Sequence, residues 1–263
     1  MLGLNTLLQL ARIRFWLMIR QKLGWMSLLV GVGLVILSVI TAKVSFVKPE
    51  KIFWDFSMGA VFVLQVGLAI FLGSQLFPDE KNRRTLHLLL SAGVSRAQWV
   101  VGNIAGLWFA LTSILCFWYV TLAVTSLVTF EQFPWTMTFQ ATFLLSLEVL
   151  VLLALGFLIS FIVRPLLALT ATAFLTLLLH SLSQLQRVFT DPQVGAYIEE
   201  GIAKYILFMA RFLPPLEWFD LKVFIGFDPS IAWATVLSLG GLAFGWALLL
   251  GAFSIFRFER MDL

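Results

Sequence analysis

The chain has 263 residues, is 60% apolar and 12% charged, and carries a formal net charge of +4, with a mean hydropathy of +0.97. Soluble domains are about 45–50% apolar and about 25% charged. No water-soluble fold of this size hides so much apolar surface, so lipid is the solvent for much of the chain. This excludes a disordered chain, an ordinary cytosolic enzyme and, because Cys116 is the sole cysteine, a disulfide scaffold; the basic excess belongs to loops beside a membrane rather than to a nucleic-acid surface.

Residues 4–22 read as an amphipathic helix. Asn5, Gln9, Arg12 and Arg20 share one stripe, while Leu7, Leu8, Ala11, Phe15, Met18 and Ile19 cover most of the rest. With Arg14 and Lys22 added, the helix is basic and aromatic, and it is expected along the inner leaflet. There it either anchors the chain in lipid or also touches a cytoplasmic partner. The start shows no short apolar core ending in small residues, so no cleavable leader is expected.

Six apolar runs follow, at residues 24–42, 56–77, 100–128, 139–163, 166–185 and 231–256. A spanning helix needs about 20 such residues. The runs are continuous rather than alternating, which argues against strands. Only Arg164 and Pro165 separate the fourth from the fifth, so the two are expected as a tight helical hairpin with proline in the first turn of the second helix. With the N-terminus placed inside, the inner segments hold 11 basic and four acidic residues, the outer ones seven basic and nine acidic. That bias predicts both termini on the cytoplasmic side.

Two segments are neither span nor short turn. The first, residues 78–99, reads P-D-E-K-N-R-R-T-L-H-L-L-L-S-A-G-V-S-R-A-Q-W. Asp79 and Glu80 are expected to open a short helix of about ten residues, where carboxylates complement the dipole. Gly93 is expected to stop it, and Ser95 to cap the helix that follows. Leu86, Leu88, Leu89 and Leu90 argue against a merely solvated loop. The second segment, residues 186–230, holds Asp191-Pro192, Glu199-Glu200, the apolar run Ile202 to Leu213 and Pro214-Pro215. That run is too short to span and suits a re-entrant or interfacial helix on the outer side. Trp218 and Phe219 then fall at a headgroup boundary. The segment either lines an exit path or is a structured loop.

The sequence has no GxxxxGK[ST], HExxH, CxxC or GxSxG, and His87 and His180 lie far apart. No nucleotide hydrolysis, metal site or zinc chemistry by the chain itself is expected. Glu148 is the one clear acid within a span. It should face protein or water rather than lipid. It either bonds Gln140, Asn103 or a hydroxyl, or carries a proton, and its role is structural or one of passage and gating. The other polar groups in the spans are sparse, so a path built from them is weakly polar.

From Glu80 to Arg96 the chain reads E-x-x-x-R-T-L-x-x-L-L-S-x-x-V-S-R. This run, together with the span pattern and the ending Phe258-Glu259-Arg260-Met261-Asp262-Leu263, resembles permease subunits of type-2 ABC transporters. The similarity is to the group that includes multicopper-enzyme-maturation and gliding-motility exporters. The resemblance implies an all-α integral membrane fold formed by one permease domain over residues 1–263. It would have six spans, an N-terminal interface helix, a coupling helix between spans two and three, and a re-entrant segment before the last span. It implies that Glu80, Arg84, Thr85, Leu86, Leu89, Leu90, Ser95 and Arg96 couple the chain to a separate ATPase dimer, and the loop charges Asp79 and Arg83 beside them are expected to join that contact. That dimer holds ATP and Mg, whereas this chain binds no cofactor. It further implies a second permease, identical or paralogous, a bacterial inner membrane location and export. Two other readings stay open: a non-transporting scaffold that passes ATPase-driven motion to a motility or envelope complex, and an integral membrane lipid-modifying enzyme.

Overall fold

The computed structural model describes residues 2–20, 22–45, 48–182, 213–221, 225 and 230–261. Among these the regular elements are helices: α1 (Leu2–Arg20), α2 (Lys22–Val44), α3 (Pro49–Asn82), α4 (Thr85–Ser91), α5 (Arg96–Phe130), α6 (Trp135–Ser160), α7 (Pro165–His180) and α8 (Trp233–Glu259), with one 3-10 turn at Leu216–Phe219. Among the described residues, α2, α3, α5, α6 and α8 are long and apolar enough to cross a membrane, and α7 is a shorter apolar helix. The chain is an all-α integral membrane protein. Each expected span falls on one of these helices. The fifth is short: α7 has 16 residues, about 24 Å of helix. Residues 183–185 of that expected span, and the apolar run from Ile202 up to residue 212, lie outside the described residues.

The bundle is built around α6, whose apolar stretch is buried on nearly all sides. Lipid gives apolar helices no reason to prefer one another, so small residues that let backbones approach decide the packing. Three such approaches occur. A Cβ on Gly156 would stand 2.9 Å from the Gly73 carbonyl carbon, which puts α3 and α6 backbone to backbone. Gly102 and Gly106, four apart on α5, receive α1; a Cβ at either would come 2.6 Å from Leu10 or from the Ala11 carbonyl oxygen. On α2 the buried stripe is Gly24, Ser27, Gly31, Val35, Ser38 and Ala42, and Gly31 lies directly under the Trp118 ring.

The hairpin after α6 has the expected form. Arg164 is extended and Pro165 opens α7, while Gln75 on α3 donates to the Pro165 carbonyl at 3.0 Å. Cys116 is exposed on the outside of the bundle.

The segment after the second span departs from expectation. α3 does not stop at Phe77; it runs through Pro78 to Asn82. Asp79 and Glu80 therefore sit in its last turn rather than opening the next helix, and α4 has seven residues instead of about ten. The break falls at Arg83-Arg84, with Arg84 in the left-handed region at φ 58°. Proline costs one ladder bond, but the anchoring of Glu80 to two neighbouring helices, described next, holds that last turn together.

Candidate functional site

The chain end of α3 is a junction. Glu80 is buried although it stands at the negative end of its helix, an unfavourable place for a carboxylate. Two donors offset this. Trp99 Nε1 of α5 donates to Glu80 Oε2 at 2.8 Å, and Arg14 Nη2 of α1 pairs with Glu80 Oε1. The Arg14 Nε also donates to Asn103 Oδ1 at 2.5 Å, while Asn103 Nδ2 donates to the Trp99 carbonyl at 2.8 Å. Burial lowers the Arg14 pKa to about 10, so the guanidinium keeps its charge at neutral pH. Thr85 Oγ1, at the start of α4, donates to the Glu80 carbonyl at 3.2 Å. One carboxylate residue thus ties together α1, α3, α4 and α5.

Beneath it lies an aromatic layer. Phe77, Trp99, Phe157, Phe161 and Phe258 come from α3, α5, α6 with the turn after it, and α8. Phe77 and Phe161 stand 4.4 Å apart by centroid, Phe161 stacks on Phe258 at 5.1 Å, and Trp99 meets Phe258 at 5.4 Å. Arg96 closes the layer. Its Nη1 donates to the carbonyls of Phe258, Glu259 and Met261 at 2.6, 2.9 and 3.0 Å. It caps the C-terminus of α8, where a cation complements the dipole.

α4 is framed by local chemistry that the sequence announced. Gly93, at φ +89°, donates to the Leu90 carbonyl and Val94 to the Leu89 carbonyl, at 3.1 and 3.2 Å. This double closure is the Schellman stop. Ser95 and Gln98 form a reciprocal capping box at the start of α5.

The expected coupling residues separate into two sets. Asp79, Arg83, Arg84 and Thr85 are exposed, as is His87; Leu89 and Leu90 are half-buried. Leu86 is fully buried and points into the bundle, so the leucine that α4 presents outward is Leu88, 69% exposed. Glu80 and Arg96 hold elements together, and the exposed Ser95 caps the start of α5. Arg12 and Arg20 on α1 and Lys22 at the start of α2 face outward, but Arg14 turns inward to Glu80, because the same helix face sets Leu10 and Ala11 against α5. A groove of about 460 Å³ runs between α1 and α4, with Ile13, Leu17, Asp79, Arg83 and Leu88 on its walls. Trp99 and Phe258 were not anticipated. A tryptophan at a helix start, four residues before a buried asparagine, was the available signal.

Glu148 lies far from this junction, fully buried at the middle of α6. His180 meets it there, with Nε2 2.9 Å from Glu148 Oε1. Gln140 instead exchanges two bonds with the Ile231 backbone, at 2.7 and 3.1 Å, where the chain turns into α8. Asn103 belongs to the Arg14 network. His180 was legible by counting: Glu148 is 16 residues before Arg164 and His180 is 16 after it, so a tight hairpin brings both to one depth.

Among the described residues no group of three or more histidine, cysteine or acidic side chains converges as a metal site. No curated protein matches the chain. Residues 35–263 match the family described as ABC-2 family transporter protein. That match takes in most of the chain and all of the helices from α3 onward: the chain belongs to the ABC-2 transporter family and is a membrane permease subunit of an ABC transporter.

Proposed function

We propose that this permease is an exporter subunit moved by a separate ATPase dimer, which binds ATP and Mg and pushes on α4 and on the exposed residues before it. The observation that carries the reading is the Glu80 junction. α4 is bonded through Thr85 to the Glu80 backbone, and the Glu80 carboxylate binds α1 and α5, so a push on α4 is passed to the helices around it. Asp79, Arg83, Arg84, Leu88 and Leu89 are the contact set in this reading, and the groove between α1 and α4 receives the ATPase. Glu80, Thr85, Leu86, Leu90, Ser95 and Arg96 are positioning residues that pass the push inward. Arg12, Arg20 and Lys22 on the outer face of α1 and at the start of α2 meet anionic lipid or the ATPase.

The cargo path runs between this chain and a second permease, identical or paralogous, and Glu148 is the candidate for passage or gating. In this reading α4 and both termini lie on the cytoplasmic side of a bacterial inner membrane, and the basic bias of the inner loops supports that orientation. The sparse polar groups of the spans fit a lipidic or amphipathic cargo. The match of residues 80–96 supports the subgroup of exporters named above.

The test is copurification and turnover. The wild-type chain should copurify with an ABC ATPase and stimulate its hydrolysis. R83E/R84E should weaken that association about tenfold, about 1.4 kcal/mol, while membrane insertion is unchanged. An unaltered ATPase association in the double variant rejects the contact set. Stimulated hydrolysis with no cargo crossing in reconstituted vesicles marks a force-transmitting scaffold instead of an exporter.

A further inference from the structure

A buried acid and a half-buried histidine meet between α6 and α7, and the geometry says something about protons. His180 Nδ1 lies 2.9 Å from the Thr176 carbonyl oxygen, one turn earlier on α7. A carbonyl can only accept, so this nitrogen carries a hydrogen. The other ring nitrogen, Nε2, is the one 2.9 Å from Glu148 Oε1. In a neutral ring with Nδ1 protonated, Nε2 is a bare lone pair. A lone pair held that close to a carboxylate oxygen repels it. The contact is attractive only when one more proton is present, on the nitrogen or on the carboxyl group. Side-chain exposure is 18% for His180 and zero for Glu148, so bulk water screens little of that repulsion.

Two further elements face the pair. α3 contributes the uncharged ring of Phe62, edge-on to His180 with centroids 5.4 Å apart. The segment before α8 contributes Asp220, within electrostatic reach of the ring. A void of about 10 Å³ lies between Phe62, Leu145 and Asp220, about the smallest space that admits a water molecule. Among the described residues, then, the titratable groups facing the site are Glu148 from α6, His180 from α7 and Asp220 from the outer segment.

We propose that Glu148 and His180 together form a proton-binding site inside the bundle, and that its proton fastens the end of α7 to α6. Uptake converts a neutral imidazole and a carboxylate, net charge −1, into an ion pair or its neutral tautomer, net charge zero. Loss of the proton returns a buried negative charge facing a lone pair, and the end of α7 is released. The site lies apart from the α4 junction and owes nothing to the ATPase-coupled reading.

The chain has two histidines, and His87 is exposed on α4. The full chain, labelled with ¹⁵N-histidine and reconstituted in phosphatidylcholine nanodiscs, therefore gives two imidazole sets by NMR. H87Q assigns them. In the wild type His180 should show a protonated Nδ1, and E148Q should displace its titration by at least about one pH unit, the scale of coupling between paired sites, while His87 stays where it was. Hydrogen-exchange protection in the last turn of α7, corrected for the intrinsic pH dependence of amide exchange, should fall as the pair loses its proton in the wild type and not change with pH in H180Q. E148D, which keeps the charge but shortens its reach, replaces E148Q if the latter fails to insert, with a smaller displacement in the same direction expected. A His180 transition unmoved by either variant, or a neutral ring with its hydrogen on Nε2, overturns the proposal. None of these measurements involves an ATPase, so their failure leaves the permease reading intact.

Discussion

Glu80 sits where a carboxylate has least support from its own helix, and its neighbours make up the difference. Removing one partner of such a pair leaves the other buried and charged, which costs more than the pair itself contributes. E80Q and R14Q should each lower stability by about 3 kcal/mol, read as thermal unfolding in detergent. R14M/E80M should lose clearly less than the two single losses together, because it strands no charge. W99F, which keeps an aromatic side chain but removes the Nε1–H donor to Glu80 and leaves a cavity at a fully buried site, should cost about 3 kcal/mol. The importance of Glu80 was legible in its motif, but the direction it faces was not. Its partners lie 66 and 19 positions away, and nothing local marks Arg14 as the arginine of α1 that turns inward.

At the scale of the element, α4 shows which signals survive the passage from sequence to structure. Gly93 and Ser95 act through bonds to residues within five positions, and both did as their chemistry predicts. The start of α4 was misplaced for the converse reason. Pro78 and the acidic pair look like a helix opening, yet tertiary bonds to Glu80 extend α3 past them. G93A forces a side chain into φ +89° and S95A removes a cap; each should cost about 1 kcal/mol. Hydrogen exchange over residues 85–98 should show the loss as faster opening of α4 in G93A and of the start of α5 in S95A, with α1 unaffected. R96A should free the end of α8 from its three carbonyl bonds and raise exchange at residues 258–261.

For the whole molecule, composition and apolar run length found the membrane helices, because the bilayer imposes one length on every span. They could not find which helices touch. That is written in isolated small residues whose partners lie on other helices, such as Gly31 beneath Trp118 and Gly73 against Gly156. Neither did they find the Glu148–His180 contact, which needs two apolar runs folded about Arg164-Pro165 before the depths align. G156L should prevent α3 and α6 from closing and yield a chain that inserts but aggregates on extraction, seen by size-exclusion chromatography.

The contact between Gly73 and Gly156 has a mechanical consequence. With no side chains between them, the two helices cannot slide freely at that height, so α3 behaves as a rod held at a fulcrum. Its short arm, to Asn82, is about 14 Å long, and its long arm, back to Pro49, about 36 Å. A nudge at the short arm swings the opposite tip roughly two and a half times as far, so an ångström-scale thrust at one membrane face becomes a wider excursion at the other.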